Sequence, residues 1–231
     1  MTARSILGAL AAALVAGAAQ AATVVDHIQV AASDLAAGSR AVADLTGVTP
    51  QPGGVHPGRG TANALMSLGP RTYLEVITPA PGQPATTPMA QELAGVNGVG
   101  VRTFAVAASD LDAVAAAARK AGLGVDGPAA GSRQTPERQL LRWRALNITG
   151  GDFGLFIPFF IDWGDTVHPA TTSPAGARFT RLRVVHPRAA ELRRIYAALG
   201  VDIEVSAGAE PQMILEIGGP KGDVSIGGER R

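Results

Sequence analysis

Cysteine is absent from all 231 residues. That excludes disulfides, thiolate metal sites and a cysteine nucleophile together. Aromatic residues make up only 4% of the chain and charged residues 17%, and the 20 lysines and arginines nearly balance the 19 aspartates and glutamates, with no basic block. No nucleic-acid partner is expected on that balance. The apolar run "ILGALAAALVAGAA" near the N-terminus is too short to span a bilayer.

That run has another reading. Arg4 precedes it and Ala19-Gln20-Ala21 follows it, the charged, apolar and small-x-small order of a secretory signal. Residues 1–21 are therefore expected to be removed, giving an exported protein, periplasmic or secreted from a bacterium, with no membrane association afterwards. The alternative is a start codon placed upstream of a cytoplasmic protein that begins near Val24.

What the chain does contain is a copied segment. "VAASDL" occurs at 30–35 and again at 106–111, a spacing of 76 residues that suits one small supersecondary unit and not a solenoid repeat. "VDHIQVAASDL" and "VRTFAVAASDL" each read as a strand followed by Ser-Asp at a helix N-cap. The first helix is expected to bury Leu35, Val42 and Leu45, and the second Leu111, Val114 and Ala118. Gly47 and Gly122 stand where left-handed C-terminal caps belong. A fainter copy, "FTRLRVVHPRAAELRRIYAALGVDIEV", places Leu192, Ile195 and Leu199 at helical spacing. Strand candidates joined by glycine-containing turns follow each helix, so the unit is βαβββ. The expected divisions are a first unit over 22–80, a linker with a short helix over 81–98, a second unit over 99–167 and a third, degenerate unit over 178–227.

These residues resemble a known family. Tandem βαβββ units opening "DHIQVAASDL" and continuing "GGVHPGRGTANALMSLGPRTYLEVI" look like the glyoxalase-like branch of the vicinal oxygen chelate superfamily. The resemblance covers nearly all of 24–163, and its most specific parts are Asp26-His27, "HPGRGTANAL" and "YLEVI". It implies an α+β fold of curled mixed sheets around a cavity, with helices outside. It also implies metal ligands on the first and last strands of a module, which fall here on His27 and Glu75. Alternation independently puts both on one sheet face, opposite Ile28, Val30, Leu74 and Val76.

The second unit departs from the pattern, with Thr103 opposite His27 and approximately Leu155 opposite Glu75. Two donors would hold a metal weakly. His56 would complete a set of two histidines and a carboxylate if its glycine-rich segment folded over the cavity; the plainer role for His56 is substrate contact. Asn63 is a further candidate for ligand contact. Arg142 and Arg144 alternate with Trp143, and whichever set faces inward would meet substrate; inward arginines would recognise a carboxylate or phosphate.

The resemblance thus implies a small-molecule enzyme of lyase, isomerase or dioxygenase type. It would use one divalent ion (Zn, Ni, Mn or Fe) on His27 and Glu75, with Glu75 also moving a proton. The alternative is a metal-free binding or sequestration protein using the same cavity. The third unit has no intramolecular twin, so its apolar face is expected either to cover the first two units or to pair with a second chain as a homodimer.

Overall fold

The computed structural model describes residues 23–228, so the signal segment expected over 1–21 lies outside the described residues. The first unit comprises β1 (Val25–Ala31), α1 (Leu35–Thr46), β2 (Gln51–His56), β3 (Thr61–Gly69) and β4 (Thr72–Pro79). A short helix α2 (Pro88–Ala94) leads to the second unit: β5 (Gly100–Ala107), α3 (Leu111–Lys120), β6 (Gly124–Gln134), β7 (Leu140–Thr149) and β8 (Phe159–Asp162). The third comprises β9 (Arg178–His186), α4 (Ala189–Ala198), β10 (Glu204–Ala207), β11 (Gln212–Gly219) and β12 (Gly222–Ile226).

Both copies of the shared hexapeptide start their helices in the same way. Asp34 and Asp110 each accept the backbone N–H three residues on, at 2.8 Å, which satisfies one of the unpaired donors at a helix start. Gly47 ends α1 with φ 81° and returns its N–H to the Ala43 carbonyl. The buried stripe of α1 is Gly38, Val42 and Thr46, and Leu45 is exposed. Gly38 explains the rotation. A Cβ there would lie 2.6 Å from the Ala32 Cβ, so only glycine lets the helix lie this close to the sheet.

The first two units merge into one eight-stranded mixed sheet of order β2-β3-β4-β1-β5-β8-β7-β6, joined at the antiparallel β1–β5 pair. Each half mirrors the other. The sheet curls until its edge strands β2 and β6 touch, and Arg133 of β6 donates from Nη1 to the Gly53 carbonyl of β2 across the seam. Ile28, Val30, Leu74, Val76 and Phe104 fill the convex, helix-covered face. Each such side chain contributes about 2 kcal/mol when fully buried.

The third unit repeats the element order and not the strand order. Its own sheet runs β10-β9-β11-β12, with β9 parallel to β10 and antiparallel to β11. β1 gives one edge to β5 of the next unit, whereas β9 pairs both edges within its own unit, with β10 and β11. Leu182, Val184, Met213, Leu215 and Ile217 join the main core, and the Tyr196 ring of α4 meets Phe104 edge-on. Ile214 and Val224 are only half-buried. The opposite face is polar, with ion pairs Arg181–Glu204 and Arg183–Glu216. The apolar face is thus covered within the chain, the first of the two outcomes expected for it.

Candidate active site

The concave side of the eight-stranded sheet encloses a cavity of about 480 Å³. β1 turns His27 and Gln29 into it, β4 turns Tyr73, Glu75 and Ile77, and β3 turns Asn63. His56 lies at the end of β2, not in a free loop, because its backbone pairs with Thr61. The second unit supplies Thr103, Trp143, Ala145, Asn147, Phe159 and Trp163 to the opposite wall.

His27 is held on both sides. Its Nδ1 stands 2.7 Å from Asp26 Oδ1, and its Nε2 faces Glu75 Oε2 at 3.6 Å. Tyr73 stacks on the ring with centroids 4.6 Å apart. The Nδ1–carboxylate bond puts the imidazole proton on Nδ1 in the neutral ring and leaves the Nε2 lone pair toward the cavity. Asp26 is itself anchored by Trp163 Nε1 at 3.1 Å and His168 Nε2 at 3.0 Å. His168 Nδ1 accepts from the Ala170 N–H, so its Nε2 carries the proton and donates. Burial would raise the Asp26 carboxyl, but the bonds and charges of His168 and His27 outweigh it and hold the group at about 2.

Glu75 is fully enclosed. Gln29 Nε2 donates to Oε2 at 2.9 Å and Asn63 Nδ2 to Oε1 at 2.6 Å. Burial opposes its charge, yet the facing His27 and His56 and the two amide bonds hold it below the usual carboxylate range. Asn63 Nδ2 also reaches His56 Nε2 at 3.3 Å, while His56 Nδ1 meets Thr61 Oγ1 at 3.0 Å. Burial pushes the His56 imidazole down, opposed by Glu75 and reinforced by Arg133 and Arg59.

The donors present do not fit a divalent ion. His27 and His56 approach opposite oxygens of Glu75, at 3.6 and 3.7 Å, but both oxygens and His56 Nε2 are already bonded to side-chain amides. Thr103 and Leu155 across the cavity add no ligand, since the Thr103 hydroxyl donates to the Leu155 carbonyl. Among the described residues no three histidines or carboxylates group to hold a metal.

β7 settles which side chains face inward. Trp143, Ala145, Asn147 and Thr149 line the cavity, so Arg142 and Arg144 fall on the outer face and are exposed. The arginines that do reach the cavity are Arg59 at its mouth and Arg102 and Arg133, both buried. Neither Arg102 nor Arg133 stands out in the sequence, and nor do the partners that Trp163 and His168 give to Asp26. The adjacency of Asp26 and His27 was the one visible signal.

The glyoxalase-like domain family matches residues 25–200. No curated protein matches the chain. Among solved structures, a hypothetical protein from Staphylococcus aureus superposes with a TM-score of 0.61 at 18% identity, over 89% of this chain and 85% of that one. Methylmalonyl-CoA epimerase from Mycobacterium tuberculosis gives 0.47 at 20% identity, over 61% of this chain and 87% of its own. A mutant 4-hydroxymandelate synthase from Streptomyces coelicolor gives 0.47 at 16%, over 89% and 62%. With the family match running through the first two units and the S. aureus structure sharing the fold, the chain belongs to the glyoxalase-like domain family of the vicinal oxygen chelate superfamily.

Proposed function

We propose that the protein is a small-molecule enzyme that moves a proton at a carbon beside a carbonyl, with His27 as general base and no metal required. The observation that carries this reading is the Asp26–His27–Glu75 row, with Nδ1 bonded to one carboxylate and Nε2 open toward the cavity 3.6 Å from the other. A base oriented in this way typically contributes about 10²–10⁴ in rate.

The roles follow from the bonding. Nε2 takes the proton, the electron pair of the broken C–H bond moves onto the carbonyl oxygen, and return of the proton to the same or the neighbouring carbon closes the cycle without net redox change. Asp26 fixes the ring and its tautomer, and Glu75 stabilises the imidazolium that forms. Glu75 is a poor base itself, because both oxygens accept amide hydrogens and its charged form is favoured. Trp143, Phe159 and Trp163 exclude water from the bound substrate.

The test is deuterium uptake in D2O from pyruvate and dihydroxyacetone, read by mass spectrometry with and without EDTA. Uptake that survives EDTA and falls about a hundredfold or more in His27→Ala supports the proposal. Uptake equal to buffer, or unchanged in His27→Ala, overturns it.

A further inference from the structure

We infer that Arg133 is the seat of a substrate carboxylate, which makes the ligand of this cavity a small monocarboxylic acid. Arg133 is 3% exposed and lines the cavity. Its Nη1 donates to the Gly53 carbonyl, and no carboxylate of the described residues lies within ion-pair distance. Among the described residues its other nitrogens have no hydrogen-bond partner, and the side chain lines the cavity. A guanidinium has five donors in a planar fork, and burying one with a single carbonyl partner leaves its charge largely uncompensated. Burial accordingly pushes the Arg133 guanidinium down.

A staple across the β2–β6 seam needs only the Gly53 bond, and a neutral side chain would make it without the charge. The charge is accounted for if an anion completes the pair. A second observation points the same way: Arg102 is bonded through both terminal nitrogens, to Gln29 at 3.3 Å and Glu92 at 3.2 Å, yet its Nε is buried without a partner. With Arg102 paired to Glu92, Arg59 and Arg133 line the cavity with Glu75 as its one carboxylate among the described residues.

Two further features narrow the class. One buried guanidinium without an ion pair matches one negative charge, and a carboxylate fits its fork with two parallel bonds. A phosphate would bring up to two charges into the chamber that holds ionised Glu75. This inference rests on the cavity being the substrate site, as proposed above, but not on His27 acting as a base.

The experiment is calorimetric titration of the full mature chain with pyruvate, its neutral methyl ester and inorganic phosphate, repeated on Arg133→Met, Arg133→Lys and the outward-facing Arg142→Met. Pyruvate is expected to bind wild type at least tenfold more tightly than the ester or phosphate. Arg133→Met should lose tenfold or more, Arg133→Lys should recover part of it, and Arg142→Met should match wild type. Because the acid–ester comparison uses wild type, it stands even if an Arg133 variant fails to fold. Equal binding of acid and ester, tighter binding of phosphate, no binding of pyruvate, or unchanged affinity in a natively folded Arg133→Met overturns the inference. Pyruvate held by Arg133 without deuterium uptake would sink the proton-transfer proposal and leave this one standing.

Discussion

Asp26 and Arg102 occupy the same place in the two halves of the large sheet, and each is skipped by the pairing of β1 with β5. The register passes from Val25↔Val106 to His27↔Ala105, leaving out Asp26, and from Gln29↔Thr103 to Val30↔Val101, leaving out Arg102. The two positions are 76 residues apart, the spacing of the repeated hexapeptide. An extra residue in one strand re-aims its side chain. Asp26 consequently meets His27, Trp163 and His168, while Arg102 reaches Gln29 and the cavity.

Asp26→Asn tests the first of these bulges. The carboxyl sits at about 2 in the fold against an ordinary 3.8, so its stabilisation is complete above pH 4 and is lost as the pH falls toward 2. The size is about 2 kcal/mol. Urea unfolding should show Asp26→Asn less stable than wild type by about that amount at pH 7, with the gap closing toward pH 2. A constant gap from pH 7 to pH 2 would mean that the carboxylate charge is not the source.

The same bulges mark the limit of what was legible in the sequence. Period-2 alternation places His27 and Glu75 on one face, and both line the cavity together with the ligand-contact candidate Asn63, because those stretches of β1, β3 and β4 pair regularly. Alternation assigns Asp26 and Arg102 to the wrong face because it cannot register an inserted residue. In β7 the pattern was visible and its phase was not. Phase is fixed by pairing with β6, whose glycine-rich sequence carries no hydrophobic signature of its own. Arg133 was hidden for that reason, on a strand of mostly exposed or half-buried residues. Element order repeats legibly in the third unit, but its strand order depends on which edges find partners.

Metal content follows from the amide bonds on Glu75. Protein purified without chelator is expected to carry less than about 0.1 divalent ion per chain, and added zinc, nickel or manganese should not raise its melting temperature, since an ion bound only by the native state would do so. Elemental analysis and thermal melts check both. A stoichiometric ion lost in a His27→Ala/Glu75→Ala double mutant would restore the metal site.

Closure of the sheet can be tested at one glycine. Gly54 has φ 129°, and a Cβ there would run into the Gln134 carbonyl oxygen across the seam. Backbone cannot move aside as a flexible side chain can. Gly54→Ala should therefore cost about 2–3 kcal/mol, combining backbone strain with overpacking. Gly58→Ala is the control, since Gly58 has φ 71° and open space around its missing Cβ. It should cost about 1 kcal/mol. Equal losses in the two variants would show that the seam contributes nothing beyond the turn geometry.

The third unit supplies about a third of the main core, and its removal should be felt by the whole molecule. Leu182, Val184, Leu192, Leu215 and Ile217 are buried against the first two units and one another. At about 2 kcal/mol each they bring an upper bound near 10 kcal/mol, comparable with the net stability of a typical domain. A chain ending at Thr171 would expose the partners of these side chains on the convex face, so it is expected to aggregate or unfold. Leu215→Ala, a milder probe, should cost about 2–5 kcal/mol and leave the fold intact. Since the remaining face of this unit carries the Arg181–Glu204 and Arg183–Glu216 pairs, light scattering of the chain from Ala22 onward should give a monomer. A dimer that persists at high salt, where exposed ion pairs are screened, would require an apolar interface elsewhere on the molecule.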